Sequence, residues 1–155
     1  MSDNLDAVRA SYAASAAGDV NGIVSLLGPA ARWTEMAGFP YAGTYVGPQQ
    51  VLSEVFAKLG SEWDGYQAEP EEFVDGGDVV VVIGHYSGTY RATGKSMRVR
   101  FTHVWHLEDG VATRFEQFTD TALVREAESC TRSWWGSQWP GGSDCLLKTQ
   151  VRAKS

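Results

Sequence analysis

A chain of 155 residues with a net charge of −6 is one domain by size, long enough to bury about two-thirds of the surface it would expose unfolded. The acidic balance argues against non-specific nucleic-acid binding, which rests on phosphate neutralisation by clustered Lys and Arg. No apolar stretch approaches the roughly 20 residues of a membrane-spanning helix, and the first six residues lack the basic-then-apolar pattern of a signal peptide. The expectation is a cytoplasmic protein whose Cys130 and Cys145 are free thiols.

In chain order, Ser2 or Asp3 caps a helix through Ala-rich sequence to Ala17, with Gly18 as its stop. Leu5, Val8 and Tyr12 fall on one side of it. Asp19 caps a shorter helix through Leu27, and Ala31 to Met36 reads as a strand. After a loop rich in Gly, Pro and Tyr, Gly47-Pro48 opens a helix with Pro at its first position, carrying Val51, Leu52, Val55, Phe56 and Leu59 inward and ending at Gly60. Residues 65 to 75 form a strand that Pro70 restricts to an edge or a bulge. Val79 to Tyr90 is a long strand, Thr93-Gly94 turns the chain, and Ser96 to Leu107 returns it. Asp109-Gly110 is a hairpin signal leading into Val111 to Thr119. Thr121 to Glu128 closes the domain as a short helix.

Along 97 to 107, period-two alternation sends Met97, Val99, Phe101, Trp105 and Leu107 to one face, with His103 among them. Burying a polar ring costs about 1 to 3 kcal/mol unless it is hydrogen-bonded, so His103 needs a partner or a wet cavity. Helices first and a meander of long strands afterwards imply an α+β fold. N-terminal helices pack on one face of a strongly curved antiparallel sheet, a cone that encloses a pocket, with Gly84 and Gly88 able to bend the sheet further. The core domain spans 1–128. Residues 129–155 differ in composition: four basic residues against one acid give the tail +3 and leave −9 on the rest, and the tail holds both cysteines and three tryptophans, Trp134, Trp135 and Trp139. Tryptophans are a liability in water, so docking of this tail over the pocket or a partner is expected.

The sequence resembles the SnoaL-like branch of the nuclear transport factor 2-like superfamily, the cone-shaped fold shared with ketosteroid isomerase. The resemblance covers about residues 5 to 127. It rests on Trp33-Thr-Glu-Met-Ala-Gly-Phe-Pro-Tyr-Ala-Gly-Thr-Tyr before the Gly47-Pro48 helix, on Phe101-Thr-His-Val-Trp before Asp109-Gly110, and on Gln117-Phe-Thr-Asp-Thr. The superfamily is similar to isomerases, polyketide cyclases, dehydratases and binding modules alike. Epoxide hydrolases of this superfamily need an Arg-x-Asp pair on a central strand, and Arg98-Val-Arg-Phe-Thr-His carries no acid.

What the resemblance implies for chemistry centres on carboxylates. Asp120 matches the aspartate that acts as general base in SnoaL-like cyclases; as a preferred N-cap, it can equally cap the helix that follows. Glu35 lies about where ketosteroid isomerases have their catalytic aspartate, and reads otherwise as a rim carboxylate held by Arg32 or a tyrosine. His103 either orients a carboxylate or donates to a substrate carbonyl, or is a core histidine bonded to a backbone carbonyl. Gln117 fits the same lining. Trp33, Tyr12, Tyr41, Tyr45, Trp63, Phe101 and Phe115 supply walls for a planar aromatic ligand. No nucleophile elbow, Gly-rich phosphate loop or metal-ligand spacing is present in the sequence. Two function classes follow. One is a cofactor-free enzyme of isomerase, polyketide-cyclase or dehydratase type acting on a hydrophobic or aromatic small molecule. The other is a non-catalytic ligand-binding or homodimerising module. The outer sheet face, with Arg98, Arg100, Val104 and Arg114, mixes charge and apolar surface as a homodimer interface can.

Overall fold

The structure, a computed structural model, describes residues 2–130. The expectations for Trp134, Trp135, Trp139 and Cys145 lie outside the described residues. Cys130 is disulfide-bonded and is not the free thiol expected; that expectation followed from the compartment assigned, which composition does not fix.

Helix α1 (Asp3–Ala16) starts at Ser2, whose hydroxyl accepts from the Leu5 amide at 3.2 Å, and buries Leu5, Val8 and Tyr12 at helical spacing. Gly18 leaves it at φ +76°. Asp19 caps α2 (Val20–Val24), which is shorter than the sequence implies, because Leu27 already pairs with Ala112 and begins β1 (Leu27–Glu35). After β2 (Gly43–Val46), one continuous helical segment runs through α3 (Gly47–Val51), a π-helical turn (Leu52–Phe56) and α4 (Ala57–Glu62). The wider turn shifts the facing surface: Val51, Val55 and Leu59 are buried, while Leu52 and Phe56 are only partly so.

The remaining strands, β3 (Trp63–Asp75), β4 (Val79–Tyr90), β5 (Ser96–Glu108) and β6 (Val111–Thr119), form an antiparallel meander, and α5 (Thr121–Glu128) follows. The six-stranded sheet has the order β2-β1-β6-β5-β4-β3. The hairpin of β1 and β2 joins it through a parallel pairing of β1 with β6, so the sheet is mixed. Order of elements in the sequence shows a meander but not where an early hairpin docks. Pro70 lies on the edge strand β3, opposite Gly84, beside a register shift between Pro70 and Glu72. Gly84 is obligatory there: a Cβ would strike the carbonyl oxygen of Glu69 and come within 2.9 Å of the Phe101 ring. Close strand approach at a bulge bends the sheet.

On β5 the alternation holds throughout, with Met97, Val99, Phe101, His103, Trp105 and Leu107 all buried. The opposite face carries Arg98 and Arg100, paired with Glu69 and Glu71 of β3. No helix among the described residues is long and apolar enough to cross a membrane.

Candidate functional site

A cavity of about 390 Å³ lies between the helices and the inner face of the sheet. Four polar side chains lining it are almost completely buried: Glu35 at 4 % exposure, His103 at 5 %, Gln117 at 2 % and Ser11 at 4 %, the last spending its hydroxyl on the Val8 carbonyl. Strand alternation puts Trp33 and Glu35 of β1 inward together, and the Trp33 Nε1–H donates to Glu35 Oε1 at 2.6 Å. The second oxygen, Oε2, has no protein partner. Burial pushes the Glu35 carboxyl up to about 7, against weaker opposition from hydrogen bonding by Trp33 and Gln117.

His103 sits between two tyrosines. The Tyr12 hydroxyl of α1 lies 2.5 Å from Nδ1, and the Tyr86 hydroxyl of β4 meets Nε2. Phe101 stacks on the imidazole with ring centres 4.0 Å apart and Phe115 packs edge-on at 4.9 Å, so the ring is clamped. Burial pushes its pKa down to about 3, and raises those of both tyrosines. The triad is therefore neutral at physiological pH. It is flanked by two further donors, Trp105 Nε1–H to the Tyr12 oxygen at 3.2 Å and Gln117 Nε2–H to the Tyr86 oxygen at 3.1 Å. Gln117 Oε1 is left without a partner.

The structure thus brings Glu35, His103, Gln117, Trp33, Tyr12, Trp63 and Phe115 around one cavity. It leaves four of the sequence candidates outside the lining. Asp120 is exposed, with Oδ1 accepting from the amides of Ala122 and Leu123 at the start of α5. Tyr41 donates to Glu62 Oε2 at 2.8 Å and accepts from Trp63, while Tyr45 donates to the Tyr41 carbonyl. Phe101 backs His103 from within the core. Sequence reasoning missed Tyr86, Tyr66 and Trp105 as lining residues. The alternation that buries Val80, Val82 and Tyr86 in β4 was available to find the first of them.

A helix-roofed, six-stranded mixed sheet around such a cavity defines the class of NTF2-like proteins. The structure is similar to an NTF2-like protein from Burkholderia thailandensis, with 46 % identity and TM-score 0.80 over 83 % of this chain and 99 % of that one. An NTF2-like protein of unknown function from Burkholderia pseudomallei shares 32 % identity, TM-score 0.76, over 82 % and 98 %. TerC, co-crystallised with polyporic acid, shares 34 % identity, TM-score 0.74, over 83 % and 100 %. A search of curated proteins finds no match. The SnoaL-like domain model matches residues 8–115, and the chain belongs to that family.

Proposed function

We propose that the protein is a cofactor-free acid–base enzyme of isomerase, cyclase or dehydratase type, acting on a small, largely apolar carbonyl compound. Glu35 takes the proton from a carbon beside the carbonyl. The electron pair of that C–H bond moves toward the carbonyl oxygen, and a hydroxyl of the tyrosine–histidine triad donates to the developing oxyanion. Return of the proton to another position completes an isomerisation. The observation that carries this reading is the state of Glu35, a buried carboxyl with one oxygen unpartnered and a pKa of about 7, which is half ionised near neutrality, where a general base works best. Asp120, spent on a helix cap, is not the base in this reading. The aromatic walls suit a flat ligand, and co-crystallisation of the relative TerC with polyporic acid supports small-molecule occupancy in this family.

The test is α-proton exchange of 2-tetralone in deuterated buffer, followed by NMR. The wild type is expected to accelerate exchange with a rate that rises through about pH 7, and Glu35→Gln to lower it at least about 100-fold. Equal exchange in the two proteins overturns the reading. Equal binding of 2-tetralone with no exchange in either assigns the fold to the ligand-binding class instead.

A further inference from the structure

The Tyr12, His103 and Tyr86 triad holds one proton more than its own hydrogen bonds can use. A neutral imidazole has one N–H and one acceptor nitrogen. With the proton on Nδ1, the ring donates to the Tyr12 oxygen and Tyr86 donates to Nε2. The Tyr12 proton then has no acceptor in the triad. With the proton on Nε2, the ring donates to the Tyr86 oxygen, Tyr12 donates to Nδ1, and the Tyr86 proton is the one left over. Trp105 and Gln117 act toward the triad only as donors to the tyrosine oxygens, and the Tyr66 hydroxyl beside Tyr86 brings one proton and one acceptor together, so the surplus stays at one. Both tyrosines line the cavity.

We propose that His103 is a tautomeric selector, which hands a single hydroxyl donor to the bound ligand at one of two points, beside Tyr12 or beside Tyr86. The two arrangements interconvert as a relay. A ligand hydroxyl at the Tyr86 end gives its proton to the Tyr86 oxygen as Tyr86 passes its own to Nε2. The Nδ1 proton goes to the Tyr12 oxygen, and Tyr12 gives its former proton to a ligand carbonyl oxygen at the other end. All three side chains finish neutral, one ligand proton has moved, and the imidazole ends in the other tautomer. Burial, which disfavours imidazolium and phenolate alike, makes this neutral route the accessible one. Because the ring is clamped by Phe101 and Phe115, selection proceeds by proton position and not by ring rotation. The ligand class that uses the full relay carries a hydroxyl at one end and a conjugated carbonyl at the other. The inference rests on the cavity of the proposed function, but it is read from proton positions, so absence of 2-tetralone exchange would leave it standing.

Loss of Tyr12 and loss of Tyr86 drive the imidazole proton to opposite nitrogens. In Tyr12→Phe, Tyr86 still accepts from Gln117 and best spends its proton on Nε2, which puts the imidazole proton on Nδ1. In Tyr86→Phe, Tyr12 accepts from Trp105 and spends its proton on Nδ1, which puts the imidazole proton on Nε2. The experiment is long-range proton–nitrogen NMR on protein labelled with ¹⁵N-histidine, with His103 assigned by its loss in His103→Gln. Opposite tautomers in the two variants are expected; the same tautomer in both overturns the proposal. Should either variant fail to fold, Trp105→Phe and Gln117→Leu cut the flanking donors and push toward Nδ1–H and Nε2–H respectively, with the same criterion. A second readout is the preference for 1-tetralone over tetralin, by calorimetry. Each single Tyr→Phe variant is expected to lose about 5-fold of that preference, as for one neutral hydrogen bond, and the double variant no more than either single. Additive losses overturn the selector.

Discussion

Replacement of Glu35 by Gln removes a proton-binding site whose two states differ between folded and unfolded chain, and the effect on stability has a calculable pH profile. Below pH 4.5 both states hold the Glu35 proton. Between 4.5 and about 7 the unfolded chain has released it while the folded chain retains it, so stability falls with rising pH by about 1.4 kcal/mol per pH step. Above 7 the loss levels off at about 3 kcal/mol. His103 acts in the opposite sense. Between about 3 and 6.5 the unfolded chain binds a proton that the folded chain refuses, so stability rises with pH at the same slope. The two contributions cancel from pH 4.5 to 6.5 in the wild type. In Glu35→Gln only the His103 slope remains, and the stability of the variant relative to wild type should grow by about 3 kcal/mol between pH 4.5 and 8. Urea unfolding of both proteins at intervals across that range measures it. A difference that stays constant with pH would refute the buried, proton-retaining state of Glu35.

Three further outcomes can be checked directly. Gly84→Ala should cost about 3 kcal/mol in urea unfolding, the upper end for overpacking, since the new methyl meets backbone and the Phe101 ring; a loss below about 1 kcal/mol would mean the bulge yields freely. Asp120→Ala should cost about 1 kcal/mol through the lost cap while 2-tetralone exchange is unchanged, and a collapse of exchange in a folded variant would return the base to Asp120. Trp33→Phe removes the donor that opposes the rise in the Glu35 pKa, so the midpoint of the pH–rate profile should move upward, and a downward move would contradict the assigned hydrogen bond.

How much was legible beforehand depended on the range of the signal. Alternation along β5 placed His103 inside without ambiguity, since a slip of one residue would expose Phe101 and Trp105 together. The caps at Ser2, Asp19 and Asp120 were local chemistry and could be read as such. Glu35 and His103 lie 68 positions apart, and only their shared inward parity hinted that they meet. Tyr86 escaped notice because Gly84 and Gly88 break the apolar run around it, although it keeps the parity of Val80 and Val82. The split between Tyr12, which faces the cavity, and Tyr41, which turns to Glu62, depends on loop paths that no local period encodes. The parallel docking of β1 on β6 was invisible for the same reason.

That docking also sets the order in which the molecule can be built. Leu27 and Ala112 are ladder partners across 85 positions, whereas β3 through β6 pair with strands next to them in the chain. Closing so long a loop carries an entropic cost that the local hairpins escape. During synthesis the meander can therefore form progressively, while the β1 and β2 hairpin waits for the final strand. Glu35 travels with that hairpin. The carboxyl is carried into its dry position only when the last edge is zipped, so the strain of burying it is met by a sheet that is already assembled.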